Sequence, residues 1–362
     1  MADALASGAS TRKGVGVQVP SRAQDIEVTM MKKLVELVTE LPDSYSVRTC
    51  QPSDVSLCTQ LVRAVDIAAC GETTTTEEEL DGDIFSPEVR RDESSVVITR
   101  NDSVVALLIC FNSFSEGRDL FFDFFIHPDV EEETANQISI SAVRAAEEFT
   151  RLHMSENNLD VTKCKTALYD ADKAFIFALN ERGFEYHRSF WRMRRDVTDD
   201  LNVSVPSGYE IRDFRDVEDE WRSIHDVCTQ AFADYYDYQP LSFDFWREIM
   251  ANGINNPDLW RVVTHSGQMV AYLMGSHRFT SEGFGYVASI GVLREHRSQG
   301  IAKALLADAF NRDKGLGMQG TLLHGDSSNP TGAMKLYESV GMKTDRVYLG
   351  FRKEITKSQE TD

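Results

Sequence analysis

Hydrophobic and polar positions along the chain follow two periods that alternate, and these periods predict strands and helices in turn. From residue 208, GYEIRDF alternates as a strand does, and the next two stretches, DVEDEWRSIHDVCTQAF and SFDFWREIM, have helical spacing. LWRVVTHSGQMVAYLMG is typical of a hairpin that turns at Ser266-Gly267. The remaining elements are the strand GYVASIGV, the helix IAKALLADAFNRDKG, the strand TLLHGD, the helix TGAMKLYESVGM and the strand VYLGFRKE. This order predicts a mixed α/β sheet with helices packed on it.

The preceding region repeats the same order of elements. Its strands and helices are YSVRTC, DVSLCTQLVRAV, SVVITRNDSVVALLICF, DLFFDFFIHP, ANQISISAVRAAEEFTRL, KCKTALYD, AFIFALNERGF and SFWRMRRDV. Gly183 and Gly341 end corresponding helices, which indicates a duplicated fold. The predicted organisation is a disordered or partly helical extension (1–44), a first domain (45–197), a polar linker (198–207), a second domain (208–354) and a disordered tail (355–362).

Composition and charge narrow the classes of partner. The 362 residues are 42% hydrophobic and 27% charged, which is typical of a globular protein. No apolar run approaches the roughly 18 residues of a membrane span. The net charge of −20 would repel phosphate backbones, which argues against nucleic-acid binding. The six cysteines lack zinc-ligand spacing and the N-terminus lacks an apolar leader, so we expect a cytoplasmic protein with free thiols, no metal and no membrane contact.

A candidate anion site lies in SIGVLREHRSQGIAKALL, where a buried strand turns into an amphipathic helix. The first N–H groups of a helix lack intrahelical partners, and small residues there let a phosphate approach them. Arg297 adds positive charge beside the turn. The pattern predicts a pyrophosphate site, and the alternative is an ordinary capped helix start. The turn residues concerned are Arg297, Ser298, Gln299, Gly300, Ile301 and Ala302.

A second motif follows at residues 329–342 and fills the pattern N…A…LYe..GF, with Met342 at the usual Phe. Its residues are Asn329, Ala333, Leu336, Tyr337, Gly341 and Met342. Together the two motifs resemble those of the GCN5-related N-acetyltransferase (GNAT) family, over residues 208–353. The duplication and the stretch AFADYYDYQPLSFDFW are similar to the tandem, mycothiol synthase-like group, in which the C-terminal unit is catalytic. The resemblance implies an α/β (α+β) class: two tandem GNAT folds, each a mixed, mostly antiparallel sheet flanked by helices.

The resemblance also implies that acetyl-CoA is the co-substrate, with Asn329 and Ala333 beside it. Tyr337 would donate a proton to the departing thiolate, since a phenol of pKa about 10 can serve a thiol of pKa about 8.5. The alternative is a core tyrosine. Backbone N–H groups of Ile290, Gly291 and Val292 would polarise the acyl carbonyl, provided that a bulge frees one of them.

The general base is where this sequence departs from the group. Mycothiol synthases carry a glutamate early on the strand before the first motif, and Tyr286 occupies that position here. His324 and Asp326, which share a strand face, are the candidate bases. His277, Glu282 and a chain of water molecules stay open as alternatives.

The first domain lacks the corresponding groups. Where the second domain has REHRSQGIA, the first has HPDVEEETANQI, with no glycine and with Glu131, Glu132 and Glu133 at the helix start. Leu179 takes the position of Tyr337. Because carboxylates repel a pyrophosphate, we expect acetyl-CoA to bind only the second domain, and the first domain to shape the acceptor cleft.

The acceptor site is predicted in AFADYYDYQPLSFDFW, where carboxylates among aromatic rings suit a protonated amine. Its candidates are Asp234, Tyr235, Tyr236, Asp237, Tyr238 and Trp246. An interdomain or dimer contact is the alternative. The sequence therefore predicts an acetyl-CoA-dependent N-acetyltransferase, monomeric or homodimeric, that acylates a primary amine of a small molecule. A protein N-terminal or lysine acetyltransferase and a non-catalytic acyl-CoA-binding protein are the alternatives.

Overall fold

The computed structural model describes residues 33–73, 75–85, 94–112, 119–197, 201–202, 204–235, 238, 240–251, 255–329 and 332–357. The chain divides into two compact units. Among the described residues, the N-terminal unit comprises 33–188 and 348–357, and the C-terminal unit comprises residues between 189 and 347. This division is not contiguous in sequence, unlike the predicted one, because each unit receives its last strand from the other half of the chain.

The N-terminal unit has one sheet of strand order β1-β2-β3-β4-β5-β12. Its strands are β1 Tyr45–Thr49, β2 Ser95–Arg100, β3 Ser103–Asn112, β4 Asp119–Ile126, β5 Val161–Tyr169 and the 348–356 part of β12. Its helices are α1 Lys33–Leu37, α2 Val55–Cys70, α3 Glu77–Phe85, α4 Glu132–Glu156 and α5 Lys173–Glu181. Only β4 and β5 pair in parallel; the other neighbours are antiparallel.

The C-terminal unit repeats this plan with strand order β6-β11-β10-β9-β8-β7. Its strands are the 189–196 part of β6 (Glu185–Asp196), β7 Tyr209–Asp213, β8 Arg261–His265, β9 Gln268–Ser276, β10 Phe284–Val292 and β11 Gly320–Asp326, and β12 begins at Lys343 and ends at Thr356. Its helices are α6 Glu218–Phe232, α7 Phe243–Met250, α8 Ile301–Gly315 and α9 Ala333–Ser339. Here β10 and β11 form the parallel pair and the other neighbours are antiparallel.

The apolar face of each sheet carries the core that the periodicity predicts. In the C-terminal unit, Val287 and Leu323 of the sheet pack against Leu305 of α8. The predicted hairpin is confirmed, since Ser266 and Gly267 take left-handed φ values of 50° and 81° between β8 and β9. No helix in the described part of the chain combines the length and the apolar composition that crossing a membrane requires.

The predicted ends of the domains need correction at both termini. Leu34 and Val38 are buried in the core of the N-terminal unit, so the segment from residue 33 belongs to that unit and not to an extension. At the other end, β12 runs on to Thr356 and Ile355 is fully buried, so the chain is ordered past residue 354. Leu34, Val38 and Ile355 lie close to the polar ends of the sequence, yet their apolar side chains pack in the core of the N-terminal unit.

Candidate active site

The C-terminal unit has a cleft between its two parallel strands. β10 and β11 pair only from Phe284 with Gly320 to Val287 with Leu323. Beyond that point β10 continues beside β9, and β11 continues beside β6. The carboxyl ends of the two strands therefore separate, and the gap between them is called the β10/β11 cleft below.

A β-bulge occurs where the cleft begins. The register between β10 and β9 shifts between Val287 and Ser289, so Ala288 is the extra residue. Along a strand, successive N–H groups point to opposite edges, so those that do not face β9 point into the cleft. A bulge is therefore present on this strand, two residues before Ile290. That it frees a backbone N–H of residues 290–292 stays a prediction. Gly291 is required for packing, since a Cβ there would lie 2.6 Å from Cε1 of Tyr272.

The turn after β10 leaves the start of α8 open. Ser298 and Gly300 adopt left-handed φ values of 61° and 85°, and no side chain caps the helix that Gly300 begins. A Cβ at Gly300 would meet no heavy atom within 4 Å, so its surroundings leave room for a ligand. Ser298, Gln299 and Gly300 are exposed, Ala302 is half-buried, and the side chain of Ile301 lies in the core. These residues fit a diphosphate at the helix N-terminus.

Arg297 ties this turn to its surroundings. Its Nε donates to the carbonyl of Val292 (3.1 Å) and its Nη2 donates to the carbonyl of Ala231 (2.9 Å). Its Nη1 lies 3.5 Å from a carboxylate oxygen of Asp234, which also pairs with Arg294. The hydrogen bond from Arg294 lowers the pKa of Asp234. Asp234 therefore holds the turn through two arginines, whereas the sequence predicted that it would face a cationic acceptor.

Other residues of the predicted acceptor segment also have packing roles. Tyr238 lies against Phe232 (6.1 Å between ring centroids), and burial raises the pKa of its phenol to about 12. Trp246 is buried and its ring meets that of Trp221 at 5.9 Å. Two further candidates, Tyr236 and Asp237, lie outside the described residues.

Tyr337 reaches β11 from α9. It is 4% exposed, and a Cβ on Gly325 would lie 3.2 Å from Cε2 of its ring. Gly325 lies two residues past Leu323, the last residue of β11 that pairs with β10, so the ring lies against the strand where the cleft is open. Asn329 closes the connecting turn by donating its backbone N–H to the carbonyl of Asp326 (3.1 Å), and Ala333 begins α9. This position fits the predicted proton donor, which stays a prediction.

Asp326, one of the two candidate bases, is 1% exposed at the end of β11. One of its carboxylate oxygens accepts a hydrogen bond from the phenol of Tyr235 (2.9 Å), and the other accepts one from the backbone N–H of Ser328 (2.8 Å). Two residues predicted for different roles, an acceptor-binding tyrosine and a base, are therefore bonded to each other.

His324, the other candidate, is the first residue of β11 past the paired stretch, and it is 6% exposed. Its Nδ1 lies 3.1 Å from the hydroxyl of Tyr286 on β10. Burial holds the pKa of the imidazole well below its usual range, and three guanidinium groups reinforce the effect. These belong to Arg278, Arg192 and Arg346. The ring is therefore neutral near pH 7, which is the form that accepts a proton. His277, in contrast, is hydrogen-bonded to Asn256 (3.0 Å).

The N-terminal unit has a comparable split with different chemistry. β4 and β5 pair only from Asp119 with Lys163 to Phe121 with Lys165. The helix that follows β4 starts with Glu131 as its N-cap and with Glu132 and Glu133, all exposed, in its first turn. The position that corresponds to Tyr337 holds Leu179, which is fully buried. These carboxylates disfavour a diphosphate at this helix.

The residues that build the cleft match a family model described as Acetyltransferase (GNAT) family, over residues 217–342. The C-terminal unit is therefore similar to this family over most of its length. A stretch of 178 residues, 47% of the chain, is 26% identical to the mycothiol acetyltransferase of Thermobispora bispora. The match spans 59% of that relative's length.

Solved structures support the same architecture for both units. A GNAT protein from Sphaerobacter thermophilus superposes with a TM-score of 0.75 at 22% identity, over 89% of this chain and 99% of that one. A tandem GNAT protein from the clavulanic acid biosynthesis pathway superposes with a TM-score of 0.59 at 12% identity, over 88% and 100%. At these identities the likeness concerns the fold. The predicted fold class, two tandem GNAT folds, is confirmed.

Proposed function

We infer that the C-terminal unit binds acetyl-CoA and transfers its acetyl group directly to a primary amine of a small molecule. The observation that carries the proposal is the β10/β11 cleft, which leads from the uncapped start of α8 to Tyr337 and His324. The start of α8 suits the diphosphate of the co-substrate, and Gly300 leaves the space that it needs.

In the proposed reaction the charge changes on three atoms, the carbonyl oxygen, the thiolate sulfur and the amine nitrogen, and a different group of the protein acts on each. The amine nitrogen attacks the thioester carbonyl carbon, whose oxygen becomes negative and accepts hydrogen bonds from N–H groups of β10 at the bulge. The carbon–sulfur bond then breaks, and Tyr337 gives the thiolate a proton. A base, either the neutral imidazole of His324 or the carboxylate of Asp326, takes a proton from the amine nitrogen. The proton lost by the amine balances the proton gained by the thiol, so the products are an amide and free CoA.

The acceptor is proposed as a small amine because 178 residues of the chain are similar to the mycothiol acetyltransferase of Thermobispora bispora. The test is release of free CoA from acetyl-CoA in the presence of glucosamine, amino acids or peptides with free amino groups. Release with glucosamine or amino acids supports the proposal. Release only with peptides would indicate a protein acetyltransferase, and binding of acetyl-CoA without release would indicate a non-catalytic binder.

A further inference from the structure

Tyr286 occupies the strand position at which a glutamate base was expected, and its surroundings suggest a different role. It is 4% exposed, and its ring packs against that of Phe279 at 5.1 Å between centroids. The same Phe279 ring lies 6.2 Å from the imidazole of His324. Tyr286 and His324 are therefore held by a shared aromatic neighbour, and their polar atoms meet at 3.1 Å.

The other candidate base is held at both of its oxygens. Both carboxylate oxygens of Asp326 accept hydrogen bonds, from Tyr235 and from the backbone of Ser328. Those same bonds also fix the end of β11. Asp326 is thus better suited to holding the strand than to proton transfer.

We propose that Tyr286 is a positioning residue that sets the tautomer of His324. Nδ1 of the imidazole donates its proton to the phenol oxygen of Tyr286, which leaves the lone pair on Nε2 to accept the proton of the attacking amine. One hydrogen bond thus decides which nitrogen acts as the base. This inference rests on the proposed function, since it assigns the base of that reaction.

The charges around the imidazole are compatible with this role. Among the described residues, the charged and titratable groups that act on it include Tyr286 of β10, Arg278 after β9, Arg192 of β6 and Arg346 of β12. The three cations disfavour an imidazolium, so the ring releases its proton readily after each turnover. A weak base is sufficient, because an amine becomes a strong acid once its nitrogen has attacked the carbonyl.

The first test is the tautomer of His324 in the whole chain. The chain has eight histidines, so with ¹⁵N-labelled histidine the His324 resonances are assigned by their loss in His324→Gln. We expect a neutral ring with the proton on Nδ1 between pH 8 and 6, and a shift towards the Nε2–H form in Tyr286→Phe. The control is Tyr169→Phe, which removes another buried hydroxyl, bonded to Asp66 of the N-terminal unit at 3.1 Å, and should leave the His324 resonances unchanged.

The second test is kinetic and uses acetyl-CoA with whichever amine of the panel supports CoA release. Tyr286→Phe should lower kcat about tenfold with an unchanged KM for acetyl-CoA, and Tyr169→Phe should keep kcat within about twofold. An Nε2–H tautomer in the wild type, or equal kcat values in the two variants, would overturn the inference. If the wild type releases no CoA with any amine, the proposed function fails, and the resonances still decide whether Tyr286 sets the tautomer.

Discussion

Replacing Gly300 tests whether acetyl-CoA lies at the start of α8. Gly300→Glu puts a carboxylate where the diphosphate is proposed to bind. One pair of like charges 4 Å apart costs between about 1 kcal/mol in bulk water and about 4 kcal/mol near a protein surface. Since Gly300 is exposed and a diphosphate carries at least two charges, we expect a loss of about 3 kcal/mol, or more than about 100-fold in Kd.

Gly317→Glu is the matched control at the opposite end of the same helix. Its φ is 76° against 85° at Gly300, and a Cβ at either position meets nothing within 4 Å. A left-handed residue other than glycine costs about 1–2 kcal/mol, so both variants should lose this much stability in urea unfolding. Calorimetric titration with acetyl-CoA should then separate them, with weakened binding in Gly300→Glu alone. Equal Kd values for the two variants would refute the assignment of the site.

Three further changes test other parts of the account. Tyr337→Phe keeps the ring but removes the proposed donor, so turnover should fall about 100-fold in the CoA-release assay while the Kd for acetyl-CoA stays constant; unchanged turnover would remove this role. Asp234→Asn weakens the contacts to Arg294 and Arg297, so it should raise the Kd for acetyl-CoA and leave the KM of the amine unchanged; the reverse would restore Asp234 to the acceptor site. Burial raises the pKa of Asp313 to about 6 from 3.8, so the folded chain loses stability as pH rises from about 4 through about 6. The advantage of Asp313→Asn in free energy of unfolding should therefore grow by up to about 3 kcal/mol between pH 4 and 7, and a pH-independent difference in urea titrations would contradict this.

Features that depend on neighbouring residues could be predicted from the sequence. The turn at Ser266-Gly267 and the helix start at Gly300 follow from local preferences for left-handed backbone, and the structure has both. The repeated order of strands and helices likewise predicts the tandem fold. Which strand completes each sheet was missed, because the pairing of β6 with β11 joins Asp196 to Gly320, far apart in sequence.

The contacts of the site were harder to predict for the same reason. Asp234 pairs with Arg294, which is sixty positions away in the sequence. The residues next to Asp234 therefore do not indicate that its charge is paired. The hydrogen bond between Tyr286 and His324, which are 38 positions apart in the sequence, also depends on the register between β10 and β11. Sequence periodicity predicts that these side chains lie on strand faces, but the register decides which of them meet.

We expect one acetyl-CoA to bind each chain, in the C-terminal unit. The most direct measurement is a calorimetric titration of the whole chain with acetyl-CoA. We predict a single site per chain, because the helix after β10 follows Gly300 and has no acidic residue in its first turn, whereas the helix after β4 starts with Glu131, Glu132 and Glu133. Two equivalent sites per chain, or no binding, would contradict the account.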